Sequence, residues 1–305
     1  MVRSAPGPRK LTFPTGCASN ANEMAHARIE TAADPTAQIE ALTAAIREHE
    51  SVLVAFSGGV DSSVVAALAH RALGERALAV TGVSETLADQ ERHEADVVAE
   101  EIGISHRTVH YSELADESFS RNPDNRCYFC QTMRMGHLRE LAHRWGYAVV
   151  ASGTNASDTG EHRPGLQAMA ERQVYQPLLD HGIDKPGVRT IARVLGLSVW
   201  DKPSMACLAS RIPYGLRVTD ERLTMIERAE AVIRGFGVRQ ARVRHHDGLA
   251  RIEVAPDELA KVLETQRLAE ISDQLKQIGF DVVTLDLDGY RSGRLDEIHL
   301  NEESP

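Results

Sequence analysis

Beyond residue 35 the chain switches repeatedly between two hydrophobic periods. In "PTAQIEALTAAIREHE" the apolar residues Ile39, Leu42 and Ile46 recur at helical spacing, which predicts a first helix. "SVLVAF" is a short β-branched run of the kind buried in a parallel strand. "DSSVVAALAHRALG" returns to helix and ends at Gly74. The exchange continues with "RALAVTGV" as strand, "ADQERHEADVVAEEIG" as helix and "SHRTVHY" as strand. "CYFCQTMRMGHLRELAHRWG" then reads as a long helix and "YAVVASGTN" as a further strand. Such alternation predicts an α/β fold with a doubly wound parallel sheet. Ligands of such sheets bind beyond the carboxyl ends of the strands. Two loops rich in Ser and Gly fall there, after Phe56 and after Ala151.

The pattern changes between about 187 and 215, where one short helix ("VRTIARVLGL") precedes a loop punctuated by Pro203 and Pro213. "TDERLTMIERAEAVIRGFG" is then a helix. "VRQARVRHH" and "LARIEVA" are strands joined by "DG", a strong hairpin signal. "PDELAKVLETQRLAEISDQLKQIG" reads as one helix and "FDVVTLDL" as a last strand. The expected organisation is a flexible tail over 1–35, a nucleotide-binding α/β domain over 36–215, and a smaller α+β substrate or oligomerisation domain over 216–305.

Composition narrows the classes without choosing among them. The 305 residues are 42% hydrophobic and 26% charged, as in an ordinary globular protein. No apolar run approaches the roughly 20 residues of a membrane span, and the first 35 residues lack the apolar core of a signal peptide. A cytoplasmic protein with no membrane association is expected, and Met24 is an alternative start. The net charge of −10 argues against a nucleic-acid partner, which needs a cationic footprint. Small anionic substrates remain open to it, because a few arginines in a cleft outweigh the global charge locally. Of four cysteines, Cys17 lies in the tail; Cys127, Cys130 and Cys207 do not fit a disulfide framework in a cytosolic protein.

"SGGVDSS" carries the first candidate chemistry. Gly58 and Gly59 let backbone N–H groups approach a ligand, and the helix opening near Asp61 adds its positive dipole end. Ser57, Ser62 and Ser63 add hydroxyl donors, so the loop reads as an anion cradle rather than a plain strand-to-helix turn. It lacks the lysine with which a G-x-x-x-x-G-K-[ST] loop holds β- and γ-phosphates. The pattern S-G-G-x-D-S resembles the PP-loop ATP pyrophosphatases. That resemblance implies cleavage of ATP between the α- and β-phosphates, with Asp61 positioning Mg2+ beside the pyrophosphate.

"NRCYFC" places Cys127 and Cys130 about one helical turn apart, and Cys207 stands alone in "KPSMACLASRIPYG". Three thiols are one short of a closed zinc site and suit an iron–sulfur cluster with one open iron; buried inert thiols are the other reading. Taken in order, "SGGVDSS", "NRCYFC", "SGTNASD", "RPG", "WDKPSMACLASRIPYG" and "RVRHHDGLARIEV" make the chain similar to the LarE family from about residue 36 to 290. Those enzymes are ATP-dependent sulfur transferases that make the nickel-pincer nucleotide cofactor of lactate racemase. The resemblance implies adenylylation of a carboxylate of pyridinium biscarboxylate mononucleotide, pyrophosphate release, and displacement of AMP by sulfur. It implies two routes for that sulfur: a 4Fe–4S cluster on Cys127, Cys130 and Cys207, or Cys207 itself, left as dehydroalanine. All three cysteines are present, which favours the cluster. A homo-oligomer is also implied.

Further residues carry paired readings. Gly153, Thr154, Asn155 and Asp158 in "SGTNASD" meet ATP or substrate, or form an Asx turn. Arg163 touches a phosphate, or is a solvated loop residue. Arg211 lowers a thiol pKa or holds the substrate phosphate, or makes a surface salt bridge. Arg242 and Arg244 alternate along a strand and share a face, suited to the nucleotide phosphate or simply solvated. Glu230 and Glu253 are metal or substrate contacts on the strength of the resemblance alone. Trp200 reads as core, and His245 and His246 as a hairpin tip. Other PP-loop enzymes, tRNA thiolases or amidating synthetases, are the alternative chemistry, and a non-catalytic adenine-nucleotide sensor is the alternative class.

Overall fold

The computed structural model describes residues 34–160, 164–203 and 206–291. Chain contacts set Met1–Asp34 apart from Pro35–Pro305, and the fold below belongs to the second unit. Residues 1–33 of the expected tail, Cys17 among them, lie outside the described residues, and Pro35 already opens the first helix.

Helix α1 (Pro35–Arg47) leads to β1 (Val52–Ala55), α2 (Val60–Leu73), β2 (Ala77–Val83), α3 (Asp89–Ile102) and β3 (Ser105–His110). A single turn, α4 (Glu117–Ser120), precedes the long α5 (Arg126–Trp145) and β4 (Val149–Ala151). The connection to the second sheet holds α6 (Pro164–Glu171), the single turn α7 (Pro177–Asp180) and α8 (Lys185–Val194). Helix α9 (Asp220–Gly235), the hairpin β5 (Ala241–His246) and β6 (Leu249–Val254), α10 (Thr265–Ile278) and β7 (Val282–Leu285) complete the order.

The first sheet has the order β3-β2-β1-β4, every pair parallel, as the alternating pattern predicts. Both faces are covered. Val52 and Val54 of β1 enter the core under α1, α2 and α8, whereas Leu53 enters the one under α5, with Met135, Leu138 and Ala142. That is the period-two alternation of a strand buried on both faces. The chain reverses direction about β1, so the crevice between β1 and β4 is the switch point where such sheets bind ligands.

The second sheet has the order β5-β6-β7 and its own core, in which α9 and α10 supply Ala229, Ile233, Ile271 and Leu275. Asp247 (φ 48°) and Gly248 (φ 94°) make the β5–β6 turn, the paired positive φ that hairpin turns require. The helix expected from Pro256 is broken. Residues Pro256–Lys261 form a 3-10 segment, and α10 begins only at Thr265. Burial of Val262 and Glu258 turns the chain inward there, at odds with the helical reading. Trp200, expected in the core, is 41% exposed under the guanidinium of Arg193, because Val199 takes the inward position of that turn. His245, expected at a hairpin tip, is buried beside Phe280.

Candidate active site

The phosphate loop leaves the carboxyl end of β1. Gly58 has φ 66°, and a Cβ there would stand 2.7 Å from Ala95 Cα, so only glycine lets α3 pack against the loop. Ser62 Oγ donates to Gly59 O (3.1 Å) and accepts from Ser57 N (3.2 Å), which closes the loop on itself. Ser63 is fully buried, and its Oγ has no hydrogen-bond partner among the described residues.

The loop after β4 comes against the phosphate loop from the other side of the switch point. A Cβ on Gly153 would lie 2.6 Å from Ser62 N, which fixes glycine at this crossing. Asn155 makes the Asx turn and also reaches the phosphate loop. Its Oδ1 accepts from Ser157 N (3.0 Å) in an Asx turn, and its Nδ2 donates to Asp61 Oδ1 (3.2 Å). Thr154 is buried, its hydroxyl on Ser152 and Met169. Arg163 lies outside the described residues.

Two lysines that the motif lacks arrive from elsewhere. Lys185, the first residue of α8, places Nζ 2.5 Å from Asp61 Oδ2. Lys202 Nζ donates to Gly58 O (3.1 Å) and pairs with Glu94 of α3 (2.7 Å). One turn before Glu94, Glu91 faces Lys202, Arg211 and Arg242; burial pushes its carboxyl above the ordinary range while those cations pull it down.

Two of the cysteines come together beyond the ends of β2 and β3. Cys130 and Cys207 pack against one apolar cluster that includes Phe119, Leu208 and Ile212, while Cys127, one turn earlier on α5, is exposed. Cys130 Sγ donates to Glu113 Oε1 (3.0 Å), which also accepts from Tyr111 Oη (3.0 Å). Thr86 Oγ1 donates to the other Glu113 oxygen (2.6 Å), and Thr86 O accepts from Leu208 N (2.9 Å), so one carboxylate links both thiol-bearing segments. Burial pushes the Cys130 thiol well up and the Glu113 charge adds to it, against the opposing pull of Arg134. Among the described residues no group of three His, Cys, Asp or Glu is placed to hold a metal ion. Three thiols are one short of the four thiolates of an all-cysteine zinc centre.

The arginines depart most from expectation. Arg211 is not at the surface: 1% exposed, it donates from Nε (2.8 Å) and Nη2 (3.1 Å) to the two oxygens of Glu230. Its Nη1 donates to Ala206 O and to Cys207 O (2.9 Å). Arg244 is likewise buried. It pairs with Glu253 Oε2 (2.8 Å), while its Nη1 donates to Ser210 O (2.8 Å). Glu230 and Glu253, expected at metal or substrate, are thus engaged by arginines that grip the turn after Cys207. Arg242 is buried with its guanidinium over the Tyr290 ring, not on a solvated face; burial and the neighbouring Arg211 lower its pKa. Of the expected residues the fold brings together Ser57–Ser62, Gly153, Asn155 and Asp61 at one place, and Cys130 with Cys207 at another. Lys185, Lys202, Glu91, Glu113 and Thr86 were not foreseen, since only tertiary structure brings them in.

Residues 39–153 match the asparagine synthase family model. The chain is 42% identical over 261 residues to an uncharacterized protein of Synechocystis sp., covering 86% of this chain and 97% of that one. It is 34% identical over 257 residues to the pyridinium-3,5-bisthiocarboxylic acid mononucleotide synthase of Lactiplantibacillus plantarum, covering 84% and 92%. Similarity at 30% identity over 240 residues extends to the tRNA-specific 2-thiouridylase MnmA of Caulobacter vibrioides, covering 66% and 60%.

Proposed function

The chain belongs to the pyridinium-3,5-bisthiocarboxylic acid mononucleotide synthase (LarE) family, and from that premise we propose the following two-step reaction for it. A carboxylate oxygen of pyridinium-3,5-biscarboxylic acid mononucleotide attacks the α-phosphorus of ATP, and pyrophosphate leaves. A sulfur nucleophile then attacks the acyl carbon, AMP leaves, and a thiocarboxylate remains. The adenylate is needed because oxide is a poor leaving group, and sulfur must be an anion to attack.

The loop from Ser57 to Ser62 cradles the phosphates, with Gly153 and Asn155 closing its open side. Lys185 and Lys202 provide the cationic charge that the loop itself lacks, at the oxygens where negative charge builds as pyrophosphate departs. Asp61 is the residue that would hold Mg2+. Arg211 and Arg244, through the carbonyls of Cys207 and Ser210, hold Cys207 beyond the end of β2, where the adenylate forms. Cys127, Cys130 and Cys207 would hold a 4Fe–4S cluster, which when bound supplies sulfide; Cys207 alone is the other donor.

The convergence of Cys130 and Cys207 on Glu113 and Thr86, beside the phosphate loop's edge of the sheet, carries this reading. Leu208 and Glu113 both meet Thr86 just beyond the end of β2, and Lys202 joins that region to Gly58. The test is pyrophosphate release from ATP on adding the pyridinium dicarboxylate, with intact mass and iron content recorded before and after turnover. Release with sulfur in the product supports the reading. No release, or release stimulated by tRNA instead, overturns it.

A further inference from the structure

We propose that Asn122 is a positioning residue that sets the segment bearing Cys207 against the helix bearing Cys127 and Cys130. The inference rests on the reading that these cysteines deliver sulfur, whichever of them carries it. Asn122 is 0% exposed and has φ 59°, a left-handed conformation that Asn tolerates better than most residues. Its Nδ2 donates to Pro213 O (2.7 Å) and Leu216 O (2.8 Å), with Ile212 O at 3.3 Å. Its Oδ1 accepts from Arg126 Nη1 (2.6 Å), and its own carbonyl accepts from Gly215 N (2.9 Å).

One side chain therefore joins two distant segments. On one side is the 212–216 strap, reached from Cys207 through the 3-10 turn Leu208–Arg211. On the other is Arg126, the first residue of α5 and the neighbour of Cys127. Arg126 reinforces the joint, its guanidinium 4.6 Å from the Tyr214 ring centroid. Both amide hydrogens and the amide oxygen are spent on this joint. None of it touches the phosphate loop, Lys185 or Asn155. Removing the clamp should therefore loosen the thiol geometry while leaving the ATP site in place.

Two variants separate this role from folding. Asn122→Gly keeps the left-handed backbone without strain and deletes the amide. Asn122→Asp keeps size and the acceptor for Arg126 but sets a carboxylate against three carbonyl oxygens. Each is assayed in single turnover with ATP and the pyridinium dicarboxylate, beside a thermal melt. Pyrophosphate release should stay within about twofold, and thiocarboxylate formation should fall about tenfold or more, as displacement of a reacting group predicts. Parallel loss of both steps, or loss of neither, overturns the proposal.

A second readout is independent of the reaction. In a Cys17→Ser, Cys127→Ser background, dibromobimane fluoresces only when its two arms alkylate adjacent thiols. It should cross-link Cys130 to Cys207 in the otherwise unaltered protein and several-fold more slowly in the Asn122→Gly variant. Equal rates in the two overturn the clamp. Failure of the parent enzyme to release pyrophosphate sinks the functional reading and leaves this comparison standing.

Discussion

Lys185 Nζ lies 2.5 Å from Asp61 Oδ2, so the phosphate loop without a lysine of its own acquires one from the start of α8, 124 residues away. Asp61 is also held by Asn155 from the loop after β4. The acidic group at the entrance to α2 is thus oriented by the loop after β4 and by the start of α8, which is bonded to that loop.

The first prediction follows from that pair. Lys185→Met should slow pyrophosphate release about 100-fold, the scale for removing one preorganised charge from a reaction centre. Stability should change by less than about 1 kcal/mol, because both side chains are more than a quarter exposed and such pairs are screened. Pyrophosphate kinetics alongside a urea melt separate the two. An unchanged rate would remove Lys185 from the phosphate site.

The buried pair Arg211–Glu230 predicts the opposite balance. Arg211→Met leaves the Glu230 carboxylate in the interior with Val243 N and the more distant Arg234, and should cost about 3–5 kcal/mol. Arg211→Met with Glu230→Leu should recover part of that loss, since no charge is then stranded. Urea melts of the two single variants and the double one give the coupling. A double variant no more stable than Arg211→Met would overturn the account.

Legibility in the sequence followed the range of the interaction. Helix α5 and the parallel strands were readable because period and turn chemistry are local. So was the glycine-rich turn after β1, whose Gly58 answers to the close packing of α3. The break at Val262 was not, because that residue is drawn inward by the second core rather than by its neighbours. Neither were the partners of the arginines. In "RVRHH" nothing local distinguishes a solvated Arg244 from one paired with Glu253 across the hairpin. Lys202, 144 residues from Gly58, and Glu113 beneath Cys130 carry no local signal of any kind.

Thiol reactivity gives a third prediction. Burial and then the Glu113 charge hold the Cys130 thiol well above its ordinary pKa, so little thiolate exists near neutral pH. Iodoacetamide should modify the exposed Cys127 long before Cys130. Glu113→Gln keeps a hydrogen-bond acceptor but removes the negative charge, which lowers the Cys130 pKa and should speed its alkylation several-fold. Peptide mass spectrometry follows each site. If Cys130 reacts as fast as Cys127 in the unaltered protein, the buried thiol–carboxylate contact does not persist in solution.

Glu258 predicts how the second sheet responds to acid. Burial alone would raise its pKa, but Lys261 and the amides of Arg239 and Gln240 outweigh that and hold it at about 2. A carboxylate depressed in the folded state stabilises fully above its ordinary pKa, and that contribution fades as pH falls toward the folded value. Glu258→Gln should therefore be less stable than the parent near pH 7. The gap should begin to close below about pH 4.5 and be nearly gone near pH 2, where the parent carboxyl is itself half protonated. Guanidinium melts of both proteins at several pH values measure it. A gap that stays constant down to about pH 2 would mean that shape, rather than charge, makes Glu258 matter where it ties the 3-10 segment Pro256–Lys261 to the start of β5.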